Sequence, residues 1–290
     1  MSDFDKTIGI LYAGELGSAV GALLQSRGYR VVTTHGTRGP RTIQRCAETG
    51  LIALDSLAEV VRQADVLISL VPPAAALDIA KQYADLAAIA PKRAIYVDAN
   101  SIGPESVVAI GNRLSATGID FVDAAINGLA KNLRESGTFF LSGPRAGEIA
   151  GLFGDATRVR LLGNTPGRAS AMKMLLGGLS KGVCALFLEL ARVAERNGML
   201  PEMLEATRSI YPGIHALADR MLPTYALHAE RRVTEMSELA ATARAAGVEP
   251  CAIDAILKIH ESLASIPLGD NSTMPQLIQK VEASANRIDC

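Results

Sequence analysis

The chain has no tryptophan, and aromatic residues fill only 4% of its 290 positions while hydrophobic residues fill 49%. Its apolar content is therefore aliphatic, which suits an Ala/Leu-rich α/β protein with long helices. Charge of either sign is not in excess: net charge is −1 and the isoelectric point about 6.4. That balance gives no global field to draw in nucleic acid or an acidic membrane. Cysteine is scarce and scattered. Cys46, Cys184, Cys251 and Cys290 form no C-x-x-C pair, which argues against structural zinc or a disulfide framework and fits a reducing cytoplasm; no metal site is expected. The opening Met-Ser-Asp-Phe-Asp-Lys is polar and acidic, unlike a secretory signal. The most apolar helical stretch, 172–191, is interrupted by Lys173, Lys181 and Glu189, so no membrane span is expected.

What the chain does have is an alternation. β-Branched apolar runs at Thr7–Tyr12, Arg30–Thr34, Val66–Val71, Ala94–Asp98, Asp120–Ala124 and Val159–Leu162 read as buried parallel strands. Helical patterns such as Leu16–Arg27, Ala74–Ala90 and Pro104–Ala116 lie between them. Strands alternating with helices predict right-handed crossovers and a doubly wound sheet over residues 1–163. After Gly163 no strand pattern is found, and an all-helical domain is expected over 164–290. Its first helix, Arg168–Asn197, would span roughly 45 Å, too long for one small domain, which points to a subunit interface and a homodimer. Further helices are expected at 201–210, 213–228, 232–246, 250–265 and 274–288, with prolines at or near their ends.

The first strand runs straight into Tyr12-Ala13-Gly14-Glu15-Leu16-Gly17 and then a helical pattern. Strand, tight turn and helix N-terminus together form the arrangement that binds a dinucleotide pyrophosphate through free backbone N–H groups and the helix dipole. Gly14 would admit the phosphates and Gly17 would let the helix approach the strand. The usual G-x-G-x-x-G would place glycine at position 12, where Tyr12 stands. About 20 residues further on, an NAD-binding version carries an acid for the ribose. Here that place holds Thr33, Thr34 or His35, and no Asp or Glu occurs between Glu15 and Glu48. The adjoining loop contains Arg38 and Arg41, and a guanidinium suits a ribose 2′-phosphate. NADP is therefore expected over NAD.

Four further segments carry a family resemblance. Val97-Asp98-Ala99-Asn100-Ser101-Ile102-Gly103-Pro104 resembles a strand-end motif near a nicotinamide. Asp123-Ala124-Ala125-Ile126-Asn127-Gly128 resembles a substrate loop. Gly137-Thr138-Phe139-Phe140-Leu141-Ser142-Gly143 resembles the strand that follows, and Gly167-x5-Lys173 resembles a motif with a catalytic lysine. In order and spacing these are similar to the β-hydroxyacid dehydrogenases, relatives of 6-phosphogluconate dehydrogenase. Within them, Lys173-Met174, Lys181-Gly182 and Ala185-Leu186 look like a subgroup whose C-terminal domain has no assigned function.

The resemblance implies a Rossmann domain followed by a helical dimerisation domain. It implies NAD(P)-dependent oxidation of a small hydroxy acid, or reduction of its carbonyl counterpart, with Lys173 as general acid/base. Cofactor contacts would come from Tyr12, Gly14, Glu15, Leu16, Gly17, Arg38, Val71, Pro72, Asn100 and Ser101. Substrate contacts would come from Ser101, Asn127, Gly128, Lys173 and Gly177. The chain departs from the family pattern where Asn127 replaces a serine, Leu129 a glycine and Gly177 an asparagine. Gly177-Gly178 inside a helix costs about 1 kcal/mol per residue relative to Ala, offset by close approach of either a ligand or a neighbouring helix. Two other functions stay open: an imine reductase, whose relatives often replace the lysine, and a catalytically silent NADP-binding sensor or scaffold. Lys131, Arg134, His215, His228 and His260 are lesser candidates, each equally readable as a structural or surface residue.

Overall fold

The computed structural model describes residues 6–36, 39–266 and 272–284, with residues 226 and 227 as backbone only. The chain divides into two compact units, Met1–Lys173 and Met174–Cys290.

The first unit is built on eight strands: β1 (Thr7–Leu11), β2 (Arg30–Thr34), β3 (Ile52–Leu54), β4 (Val66–Ser69), β5 (Ile95–Asp98), β6 (Phe121–Asn127), β7 (Thr138–Ser142) and β8 (Arg158–Leu161). Its helices are α1 (Glu15–Ser26), α2 (Pro40–Thr49), α3 (Leu57–Gln63), α4 (Ala76–Ala87), α5 (Pro104–Ser115), α6 (Leu133–Ser136) and α7 (Ala146–Phe153). The strands form one sheet in the order β3-β2-β1-β4-β5-β6-β7-β8. Chain order reverses direction between β1 and β4, so the crevice at their carboxyl ends is the topological switch point.

Alternating strand residues feed two cores. Ile8, Ile10, Val66 and Ile68 pack on one face with Val20, Leu24 and Phe153. Val32, Leu67 and Tyr96 pack on the other with Val60, Tyr83 and Ile110. Burial on both faces explains why these strands read as continuous apolar runs.

The sheet departs from the sequence reading in three places, the first being β8, expected to be buried but lying at an edge with Leu161 56% exposed. β3 lies at an edge, with Ile52 and Ala53 exposed, so it offers no apolar run to recognise. β7 runs antiparallel to β6, with Ala125 opposite Phe140. Only residues 128–137 separate the two strands. A parallel return needs a crossover of about a dozen residues or more.

The second unit is helical: α8 (Arg168–Arg196, shared with the first unit at its start), α9 (Leu200–Ile210), α10 (Pro212–Met221), α11 (Tyr225–Ala245), α12 (Cys251–Ala264) and α13 (Met274–Ala283). Cys184, Phe187, Leu188 and Ala191 of α8 pack with Leu204, Leu222, Leu263, Leu277 and Val281. By length and composition α8 would pass as a membrane-spanning helix, so Lys173, Lys181 and Glu189 do not disqualify it on that test. It nevertheless supplies the buried centre of this unit. The helix expected over 213–228 ends earlier, at Met221, where Pro223 opens a single 3₁₀ turn. α11 then starts at Tyr225 and bends at His228, which has non-helical backbone angles.

Candidate active site

At the end of β1 the backbone turns through Tyr12, the one described non-glycine residue with positive φ, at 69°. The left-handed conformation costs an L-residue about 1–2 kcal/mol, which is why glycine is the usual occupant there. Gly17 is demanded by a different constraint. A Cβ on it would lie 2.3 Å from the Tyr12 carbonyl oxygen, so α1 can approach β1 this closely only without a side chain. Gly14 caps α1 with no side-chain hydrogen bond. The first N–H groups of that helix are thus left for a ligand, with the positive end of its dipole behind them. Glu15 is exposed, Leu16 half-buried.

Gly17→Ala is expected to destabilise the protein by about 1–3 kcal/mol, as overpacking against rigid backbone does. Urea unfolding measures it, and an unchanged midpoint would show that the strand–helix contact is looser than described.

Where an NAD-type acid would stand, Thr33 spends its hydroxyl on the Ile10 carbonyl at 2.8 Å. Thr34 Oγ1 and His35 Nδ1 are buried with no hydrogen-bond partner. Orphaned polar atoms beside a glycine cradle fit a polar ligand such as a ribose. Arg38 lies outside the described residues; Arg41 is exposed in the first turn of α2.

Beyond the switch point, Val71 is buried and Pro72 exposed just after β4. Asn100 follows β5 and is fixed from two sides. Its backbone N–H donates to Asp98 Oδ1 at 3.0 Å, and its side chain meets Ser69 Oγ at 3.1 Å. Asp98 is fully buried with Oδ2 unpartnered. Burial pushes its carboxyl up to about 7 despite the bonds from Asn100, and buried Asp123 adds to the rise.

Next to this fixed asparagine, Ser101 Oγ accepts a hydrogen bond from Lys173 Nζ at 2.8 Å. Lys173 is half-buried. Its place is set by Asp123, which acts as an anchor for the start of α8. Asp123 Oδ2 accepts from the backbone N–H groups of Gly167, Ala169 and Ser170 at 2.8, 2.9 and 3.2 Å, and from Ser142 Oγ at 2.9 Å. Oδ1 accepts from Ser170 Oγ at 2.7 Å. A carboxylate at a helix N-terminus satisfies orphan donors and opposes the dipole. The sequence reading singled out the Asp123 segment only as a substrate loop. Its fastening role was not legible, because its partners lie at 142 and 167–170.

Asn127 is exposed at the end of β6, and Gly128 follows with φ of 146°. Gly177 stands one turn after Lys173 on α8. A Cβ there would lie 3.2 Å from Lys181 Nζ, whereas one on Gly178 would lie 2.2 Å from Leu239 Cδ2. Gly178 therefore answers to packing of α8 on α11. Lys181 is paired with Glu235 at 2.8 Å. Among the lesser candidates, Arg134 donates to Ser26 Oγ at 2.7 Å and Lys131 is exposed. His215 is buried against Thr207 Oγ1 at 3.1 Å, and His228 is exposed at the bend of α11.

Comparison with known proteins agrees with this fold. Residues 7–149 match the family profile described as the NAD binding domain of 6-phosphogluconate dehydrogenase. Residues 194–263 match a domain of unknown function, DUF1932. A solved conserved protein of unknown function, described as structurally similar to 3-hydroxyacid dehydrogenases, is 32% identical with a TM-score of 0.70; the match covers 89% of this chain and 96% of that one. Mycobacterium tuberculosis 3-hydroxyisobutyrate dehydrogenase, solved with L-serine, shares the fold at 17% identity and a TM-score of 0.76, over 96% of this chain and 99% of that one. An uncharacterized 28.5 kDa protein of Methanothermus fervidus is 26% identical over 80% of this chain and 88% of its own length.

Proposed function

We propose, for a chain that belongs to the NAD(P)-binding family of 6-phosphogluconate dehydrogenase and the 3-hydroxyacid dehydrogenases, NADP-dependent oxidation of a small hydroxy acid or reduction of its carbonyl counterpart. The coarser statement, an NAD(P)-dependent oxidoreductase, follows from the family. The observation that carries the finer reading is the 2.8 Å contact of Lys173 with Ser101, beside the switch point of the sheet. An amine there, as the free base, would take the proton from the substrate hydroxyl oxygen while hydride leaves the carbon that bears it; as an ammonium it would return the proton in the reverse direction. NADP supplies the hydride acceptor. The turn at Tyr12, Gly14 and Gly17 and the first N–H groups of α1 would hold its pyrophosphate, and Asn100 and Ser101 its nicotinamide end. Ser101, Asn127 and Gly128 would bind the substrate.

Turnover of 3-hydroxypropionate, 3-hydroxyisobutyrate and serine, followed at the NADPH absorbance, tests the reading. NADPH affinity with no turnover of any hydroxy acid would favour the silent binding protein. Turnover of cyclic imines alone would favour the imine reductase.

NADPH is expected to bind at least tenfold more tightly than NADH, with Arg38 on the 2′-phosphate and Arg41 nearby. Titration of both cofactors against wild type and Arg38→Ala checks this. Equal wild-type affinities would remove the NADP assignment.

A homodimer is expected through α8. Leu175, Leu179, Leu186, Leu190 and Val193 are all more than half exposed. At about 100° per residue they share an arc of roughly 60°, a continuous apolar stripe. Light scattering should report about twice the 30.5 kDa chain mass, and Leu179→Glu with Leu186→Glu should return it to one. A wild-type monomer at micromolar concentration would exclude the interface. The free thiols of Cys46, Cys184 and Cys251 fit a cytoplasmic location.

A further inference from the structure

The turn that would receive the pyrophosphate is covered by one of its own side chains. A Cβ on Gly14 would lie 2.7, 3.2 and 3.3 Å from Cε1, Cδ1 and Cζ of the Tyr12 ring. Gly14 stands where the motif has its second glycine, whose missing side chain lets the backbone approach the phosphates. The ring therefore fills the volume that this glycine leaves open. Gly14 beneath it is buried, although its neighbour Glu15 is exposed.

The backbone under the ring is fastened on both sides. The Leu11 carbonyl accepts from the Leu70 N–H at 3.1 Å, the Ala13 carbonyl from Ser18 Oγ at 2.9 Å and the Gly14 carbonyl from the Ser18 N–H at 2.9 Å. The Tyr12 carbonyl lies so close to Gly17 that no side chain fits between them. The φ of 69° is thus held in place, and the freedom left to Tyr12 is rotation about its side-chain bonds. The ring is half-buried, at the rim of the core that includes Leu11 and Val71. It can turn outward without opening that core.

We propose that the Tyr12 ring is a gate on the dinucleotide seat: closed, it covers Gly14 and bars the pyrophosphate; open, it uncovers Gly14 beside the first N–H groups of α1. The gate rests on the cofactor reading above. A seat that must open before it is filled binds more weakly, in proportion to the fraction of molecules in which it stands open. With at most about one molecule in five open, removing the ring tightens binding about fivefold or more. NADPH and NADH share the pyrophosphate, so both tighten by the same factor and their ratio holds. Adenosine 2′-monophosphate has no 5′-phosphate and gains nothing.

Calorimetric titration of these three nucleotides into full-length wild type, Tyr12→Gly and Tyr12→Ala tests the gate. Both variants should bind NADPH and NADH about fivefold more tightly or better, and adenosine 2′-monophosphate within about twofold of wild type. NADPH association, followed by its fluorescence, should quicken by a similar factor. Tyr12→Ala keeps an L-residue at the left-handed position, so agreement between the variants assigns the gain to the ring and not to the backbone.

Unchanged or weaker NADPH binding in the variants would overturn the gate. So would an equal gain for adenosine 2′-monophosphate, or a gain in Tyr12→Gly that a folded Tyr12→Ala lacks. Should wild type bind and the variants match it, the cofactor reading stands and the gate falls. Should none of the three proteins bind either dinucleotide, the cofactor reading fails and takes the gate with it.

Discussion

Lys173→Met is expected to lose 10²–10⁴-fold in kcat, roughly 3–5 kcal/mol of barrier, with NADPH affinity and melting temperature little changed. The side chain is half-buried, donates to the exposed Ser101, and is no member of the apolar clusters of either unit. Lys181→Met should do the reverse. Lys181 is only 11% exposed and holds Glu235, so the variant loses stability and keeps most turnover. It also lies about 12 Å further along the helix axis than Lys173. Steady-state rates and thermal unfolding of both variants, on a substrate that wild type turns over, give the comparison. Near-wild-type kcat in Lys173→Met, or an exchange of the two phenotypes, would remove Lys173 from the acid/base role.

Asp123→Asn should cost about 3 kcal/mol or more, lowering the melting temperature by roughly 6–12 °C. The carboxylate is fully buried and accepts three backbone N–H groups and two serine hydroxyls. An amide keeps the shape, but its NH₂ group turns donors toward donors and no longer opposes the dipole of α8. Because the same bonds fix the turn that leads to Lys173, kcat should fall alongside stability. Chemical denaturation read with activity tests both parts. A change in stability below about 0.5 kcal/mol would show that α8 is held by packing alone.

The alternation of strands and helices was legible because central strands are buried on both faces and so appear as uninterrupted apolar runs. The exposed edge strand β3 lacks that signal. The direction of β7 depends on the short return after β6, which an apolar pattern cannot report. The turn at residue 12 was legible as an imperfect motif, and the structure supplies the missing term: the backbone keeps its left-handed conformation with tyrosine in place of glycine. The Gly177-Gly178 pair reads equally as ligand approach or helix packing, and the 2.2 Å that would separate a Cβ at 178 from Leu239 assigns Gly178 to helix packing. Arg232 gave no signal, since a lone arginine in a helical stretch reads as surface. Its burial against the Tyr225 ring is a tertiary fact.

The two ends of the sheet bear on how the protein behaves when concentrated. β3 is three residues long, and β8 carries Arg158 and Arg160 on exposed positions. A short edge and a doubly charged one both discourage strand addition by another chain. Among the described residues, neither sheet edge gives crowded copies a flat, apolar rim on which to grow a fibril. Strand addition at the sheet is discouraged by brevity on one side and like-charge repulsion on the other, so the homodimer proposed above would draw on the helical surface instead.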